Sequence, residues 1–304
     1  MPTYCKPVTP LGQVPILGAK RFRIWSSNVQ AYFIIDVCEP SPLLKRSGPS
    51  PLLLVTDGNL CFSSATSISK ALALEPDGPP SMTVVGIGYD VAGAGENAEH
   101  HTIRNRDLTP CQDKRFEAMM QKAPAPFTWR EDIKPGGSER FLSFIKDELT
   151  PWLMSQFNID PTDHTLAGTS LGGLFALNTL MTQPTAFERY IAISPAIWWA
   201  NNYLMDLAQG FEIPRTDRPI TLYMAVGERE ERQDPNAKMV TNLTKFAKRL
   251  KERKLRALNF KTEILPDETH MSVFSPALGR GLRSTFAPQS RDESWANLDV
   301  VETP

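Results

Sequence analysis

The feature that most constrains this chain is Gly168-Thr169-Ser170-Leu171-Gly172, entered by the apolar run Leu166-Ala167 and left by an Ala/Leu-rich helical pattern through Leu177. A strand that ends in such a turn and passes directly into a helix forms a nucleophile elbow. The turn forces its serine into a strained backbone conformation. Side chains two residues before and after it would collide with the strand or the helix, so glycine is required there. The serine oxygen is thereby presented at a helix N-terminus, where backbone N–H groups and the helix dipole favour developing negative charge. A nucleophilic Ser170 is the expectation.

The rest of the chain supplies the sheet such an elbow needs. Arg21–Ser26 and Ala31–Val37 read as two alternating strands close enough to form a hairpin. A proline-rich loop, Pro40–Pro51, leads to a buried strand at Leu52–Val55, which ends in Thr56-Asp57-Gly58-Asn59. Helical periodicity with a serine cap spans Ser63–Leu74, and Met82–Tyr89 is the next buried strand. Strand, helix, strand is the crossover unit of a parallel α/β sheet. Ala92–Gly137 breaks the rhythm: it is long, polar and rich in Gly and Pro, with one short helical stretch at Lys114–Met120. An insertion of that length implies a lid or binding element. An amphipathic helix over Ser138–Leu149 precedes the elbow strand. Strands at Tyr190–Pro195, Ile220–Val226 and Phe260–Leu265 follow, with a long helix at about 236–254. The alternation has no break or repeat, so the expectation is a single domain over 1–304, with the insertion at 92–137 and a loose polar tail at 288–304.

Composition narrows the function classes. The chain of 304 residues is 41% hydrophobic with net charge −1 and no long block of either sign, which speaks against disorder, nucleic-acid binding and anionic membranes. The basic stretch Lys245–Arg256 carries Phe246, Leu250 and Leu255 at helical spacing and reads as a solvated helix face. Cys5, Cys38, Cys61 and Cys111 are scattered without metal-ligand spacing, so no cofactor and no metal are expected. The N-terminus lacks the pattern of a signal peptide and no apolar run reaches spanning length, so a cytoplasmic location is expected.

A serine hydroxyl needs a base, and the base needs orienting. In this architecture the order along the chain is serine, acid, histidine. Of the four histidines only His270 follows Ser170, in the loop after the last strand, so it is the expected base. The acid belongs in the loop after the strand ending at Val226, where Glu230 is favoured over Glu228; a Ser170–His270 dyad stays open as an alternative. For the oxyanion hole, Leu171 supplies one backbone amide, and Asn59, after the strand at Leu52–Val55, is the candidate for the other.

Asp57-Gly58-Asn59, Gly168–Leu177, Ile193-Ser194-Pro195-Ala196-Ile197-Trp198-Trp199, Gly227–Glu230 and Thr269-His270-Met271-Ser272-Val273 together resemble the esterase D family, nearest its trilactone siderophore esterases. Arg104–Pro110 is similar to the Arg-Arg-x-x-Asp-x-Thr-Pro segment of that branch. Two positions depart from it: Thr169 replaces the usual histidine before the serine, and Ala200 stands where an acidic residue often follows the tryptophan pair. The resemblance implies an α/β-hydrolase fold, a mostly parallel sheet with helices on both faces and a lid-like insertion. It also implies hydrolysis of esters, in some members the serine-ester lactones of iron-chelating compounds.

An anionic small-molecule ester, such as an iron chelate, would suit Arg104 and Arg106, with Trp198, Trp199 and Trp129 as aromatic walls. The competing reading pairs Arg106 with Asp107 and buries one tryptophan. Two further readings keep the serine chemistry: an acyltransferase or transesterase, and a hydrolase of macrolactone or polyketide esters. A non-catalytic binding protein on the same fold is the remaining alternative.

Overall fold

A computed structural model of the chain describes residues 15–41, 48–90, 96–122, 132–214 and 219–287, without the side chains of 96–100. The tail at 288–304 and Trp129 therefore lie outside the described residues. Among the described residues, eight strands form one sheet in the order β1-β2-β4-β3-β5-β6-β7-β8. They are β1 (Ala19–Ser26), β2 (Ala31–Cys38), β3 (Ser50–Thr56), β4 (Thr83–Tyr89), β5 (Ile159–Thr169), β6 (Arg189–Ile193), β7 (Ile220–Gly227) and β8 (Leu258–Leu265). β1 pairs with β2, and β2 with β4, antiparallel; every other pairing is parallel. This is the α/β-hydrolase architecture.

The period of two along each strand divides the core into two layers. Leu52 and Leu54 of β3, Leu166 of β5, Tyr190 and Ala192 of β6, and Leu222 and Met224 of β7 enter one apolar cluster. Their neighbours Leu53, Val55, Ala167, Ile191, Ile193, Tyr223 and Ala225 enter the other. Because both faces of these strands are buried, their sequences read as continuous apolar runs. The second layer is covered by α1 (Gly58–Leu72) and, from the far end of the chain, α10 (Phe274–Phe286). The first is covered by the helices between β4 and β8. Among the described residues they are α2 (Glu96–Leu108), α3 (Lys114–Met120), α4 (Ser138–Ser143), a π-helical turn at Phe144–Leu149, α5 (Thr150–Gln156), α6 (Leu171–Thr182), a 3-10 turn at Pro184–Ala186, α7 (Trp199–Gly210), α8 (Glu230–Gln233) and α9 (Met239–Arg253), of which α8 adds no residue to the apolar cluster.

Three elements differ from the sequence expectation. α1 begins at Gly58, directly after Asp57, not at a serine cap near residue 63. The helix at 138–149 runs on through the π-helical turn to Gln156. The insertion holds a full helix, α2, that apolar periodicity does not reveal because its buried face is polar: Thr102, Asn105 and Asp107 are each 3% exposed or less. α2 packs on α4 and α6, so this half of the insertion is seated on the body of the domain.

The sheet positions the site. The chain leaves β3 through α1 to β4 on one side, then returns through β5 to the other side of β3. The carboxyl ends of β3 and β5 thus flank a topological switch point, where open α/β sheets form their crevices. Thr56, Thr169, Ile193, Gly227 and Leu265 end neighbouring strands along that one edge.

Candidate active site

Ser170 sits between β5 and α6 with φ 57° and ψ −115°, a conformation that costs about 1–3 kcal/mol in a residue bearing a side chain. Its backbone is fixed on both sides: its N–H donates to Ile193 O at 2.9 Å, and its carbonyl accepts from Leu174 N at 2.9 Å and Ala196 N at 3.1 Å. The glycine requirement is visible in the packing. A Cβ on Gly168 would lie 2.4 Å from the Gly172 carbonyl group, and one on Gly172 would lie 2.2 Å from Thr56 Oγ1. Gly172→Ala is therefore expected to lower stability by about 1–3 kcal/mol, an overpacking cost read as a fall in Tm. An unchanged Tm would show that the β3 end can move away from the elbow.

Beyond β7 and β8 the two charged candidates meet. Glu230 is the first residue of α8, 2% exposed, and its Oε2 lies 2.7 Å from His270 Nδ1. The other carboxylate oxygen, Oε1, accepts from Ser194 Oγ at 2.5 Å and from Gly227 N at 2.7 Å. Three partners thus surround one buried carboxylate and engage both of its oxygens. His270 is more open, its side chain 38% exposed, and lies in the turn between β8 and α10. Glu228 points elsewhere: it is exposed, and its Oε2 accepts the Asp267 amide at 3.0 Å. Of the two glutamates, Glu230 is the one hydrogen-bonded to His270.

Ser194 has no role in the sequence expectation, although it opens the Ser-Pro segment before the tryptophans. It is fully buried with φ 43°, and its N–H donates to Ala225 O at 2.6 Å. Only the fold shows that its hydroxyl reaches the Glu230 carboxylate.

Leu171 is the first residue of α6 and Asn59 the second of α1, so both backbone amides lie in first turns, where N–H groups have no intrahelical acceptor. The Asn59 side chain clamps the end of β4: Oδ1 accepts from Tyr89 N at 2.7 Å, and Nδ2 donates to Tyr89 O at 3.1 Å. Leu60 and Met271, 69% and 84% exposed, follow Asn59 and His270 in the chain and add apolar surface beside each.

Of the four substrate-contact candidates, the structure pairs both arginines with aspartates and buries one tryptophan. Arg104 is engaged by Asp57, with Nε to Oδ1 at 2.6 Å and NH2 to Oδ2 at 3.0 Å. Burial alone would lower the pKa of this guanidinium, but the Asp57 carboxylate more than offsets it and the pKa is raised. Arg106 is held in the same bidentate way by the buried Asp107. Trp199 is fully buried and donates its Nε1–H to Cys111 O at 2.9 Å, with its ring 4.9 Å from Phe116. Trp198 keeps partial exposure.

Asp113 fastens α3 to this loop. Its Oδ1 caps α3 by accepting from Arg115 N and Phe116 N, while its Oδ2 accepts the Ala200 N–H at 2.9 Å. Ala200, Asn201 and Asn202 all have positive φ, 47°, 59° and 67°, a left-handed turn that needs such an external acceptor. Asp113→Ala is expected to cost about 1–2 kcal/mol through the lost cap and an orphaned amide, checked by chemical denaturation. No loss of stability would mean that the turn holds without the insertion.

Cys61 is no rival nucleophile. Burial, reinforced by the Asp57 charge and opposed by Arg104, pushes its thiol up to about 12. Among the described residues, no helix is long and apolar enough to cross a membrane.

Comparisons with known proteins bear on the family and the fold. Residues 33–263 match the family model described as "Putative esterase". The ferri-bacillibactin esterase BesA of Bacillus subtilis is 30% identical over 267 residues, covering 86% of this chain and 88% of that protein. Two solved structures superpose on the fold with TM-score 0.74. One is the BES protein of Bacillus cereus, 27% identical over 91% of this chain and 99% of that one. The other is the siderophore hydrolase EstB of Aspergillus nidulans, 26% identical over 93% of this chain and 100% of that one. The chain belongs to the Putative esterase family.

Proposed function

We propose that this protein is a serine carboxylic-ester hydrolase whose acyl-enzyme forms on Ser170. The observation that carries the proposal is the buried Glu230 carboxylate bonded to His270 Nδ1 at the same sheet edge as the strained Ser170. With Nδ1–H donated to Glu230, the neutral imidazole presents Nε2 as the acceptor for the Ser170 hydroxyl proton. Attack of Oγ on the ester carbonyl carbon breaks its π bond and places negative charge on the oxygen, toward the Leu171 and Asn59 amides. Collapse of that intermediate breaks the ester C–O bond, and the imidazolium returns the proton to the leaving alcohol. Water, deprotonated by the same nitrogen, then releases the acid and restores the serine.

The substrate class proposed is the ester of an iron chelator, as in trilactone siderophores. The names of the Bacillus subtilis and Aspergillus nidulans relatives support it, and Trp198, Leu60 and Met271 provide apolar surface for a bulky ligand.

The test is a panel of siderophore lactones, thioesters, feruloyl esters and macrolactones, each assayed with and without an added alcohol acceptor. Fastest release of a hydroxy acid from the siderophore lactone, unaffected by the acceptor, is the expected result. Ester transfer to the acceptor would overturn hydrolysis, and preference for another class would overturn the substrate.

A further inference from the structure

The Arg104–Asp57 pair does more than neutralise two charges. Asp57 is the last residue before α1 and has left-handed geometry, φ 55° and ψ 41°, yet its side chain makes no cap to its own helix. Its carboxylate, 2% exposed, turns instead to the Arg104 guanidinium of α2. The NH2 group of Arg104 also donates to Thr169 O at 3.3 Å, the carbonyl directly before Ser170. The carboxylate is close to the elbow helix as well: a Cβ on Gly172 would lie 3.3 Å from Asp57 Oδ2. One guanidinium therefore ties together the turn that carries Asn59 and the turn that carries Ser170 and Leu171. The two turns end neighbouring parallel strands, and their separation sets the distance between the two amides.

We propose that Arg104 is a positioning residue for the oxyanion site, acting through Asp57 and Thr169 to hold the Asn59 and Leu171 amides at one fixed separation. The inference rests on the acyl-enzyme reading of Ser170. The chemistry requires a planar fork. Bidentate pairing fixes orientation as well as distance, and a lysine ammonium cannot bridge both carboxylate oxygens and the Thr169 carbonyl in that plane. Truncation of Arg104 also leaves the Asp57 carboxylate buried without its counter-charge, close to where negative charge develops on the substrate.

The variants are Arg104→Lys, Arg104→Met, Asp57→Asn and the Arg104→Met/Asp57→Asn double. Each is assayed with a neutral aryl ester and a carboxylate-bearing one, and with a trifluoromethyl ketone, which Ser170 converts to a tetrahedral oxyanion adduct. Arg104→Lys is expected to lose about 100-fold in kcat and a similar factor in ketone affinity, while KM for both esters stays within about threefold. The double variant is expected to be more active than Arg104→Met, since it removes the uncompensated charge. Should Arg104→Met fail to fold, Arg104→Lys and Asp57→Asn still carry the test. Wild-type kcat and ketone affinity in Arg104→Lys would overturn the proposal. So would a KM increase confined to the anionic ester, which would make Arg104 a substrate contact. Ser170→Ala run alongside separates the two levels: activity retained there defeats the reading of the site, whereas an inactive Ser170→Ala beside a fully active Arg104→Lys defeats only the role of Arg104.

Discussion

Replacing Ser170 with alanine is expected to reduce kcat by about 10⁴- to 10⁶-fold, the range over which serine hydrolases depend on their nucleophile. The substitution isolates the hydroxyl cleanly. Alanine keeps the Cβ, so it retains the strain of φ 57° and ψ −115° and the three backbone hydrogen bonds that hold the elbow. Stability should therefore stay within about 0.5 kcal/mol of the parent, and the lost turnover cannot be assigned to unfolding. Ser170→Gly separates the two effects, because glycine accepts that backbone geometry without penalty. It should be equally inactive yet melt at a higher temperature. Turnover at the parental rate by purified Ser170→Ala would remove the acyl-enzyme from the mechanism. Covalent labelling by a fluorophosphonate gives an independent check, expected at Ser170 in the parent and abolished in both variants.

The parts of this protein written plainly in its sequence are those where one residue type answers one local need. The strands β3, β4, β6 and β7 are apolar runs because both faces are buried, and the elbow is legible because only glycine tolerates the contacts at 168 and 172. Chain order alone picks out His270. What escapes is whatever depends on polar burial or on unusual φ. α2 hides because Thr102, Asn105 and Asp107 face inward: Asp107 pairs with Arg106, and just past the helix Thr109 Oγ1 donates to Asn105 O. The start of α1 hides because the residue before it, Asp57, has left-handed geometry and gives its carboxylate to Arg104 without capping the helix. The same pairing gives Arg104 a partner within the fold, although a free arginine beside an active site and a paired one read identically in a string of letters. Trp198 and Trp199 are likewise indistinguishable until the insertion is seen to place the Cys111 carbonyl against one of them. Choosing between Glu228 and Glu230 depends on the direction of one turn, which in the fold sends Glu228 to the Asp267 amide and Glu230 to His270.

Glu230→Gln is the second substitution expected to be severe, with kcat falling by about 10³- to 10⁴-fold at nearly unchanged shape. The surroundings of the side chain explain why so small a change has that effect. Gly227 N–H can only donate, and it points at the position of Oε1 together with the Ser194 hydroxyl. The new amide must therefore place its oxygen toward Gly227, which turns its NH2 group toward His270 Nδ1. Two donors cannot face each other, so Nδ1 must give up its hydrogen and Nε2 must carry it. The histidine is then in the tautomer that cannot take the Ser170 proton, and the imidazolium that forms during the reaction loses its counter-charge. Glu228→Gln serves as the matched control: its side chain is exposed and accepts only the Asp267 amide, so turnover should change less than about twofold, as for an ordinary surface substitution. Ser194→Ala should fall between the two, because it removes one of the donors to Oε1 and leaves the His270 bond in place. Steady-state kinetics on the three variants, with melting curves to verify folding, decide the assignment. Near-parental kcat in Glu230→Gln would mean that Ser170 and His270 work as a dyad, with Glu230 holding the loop alone.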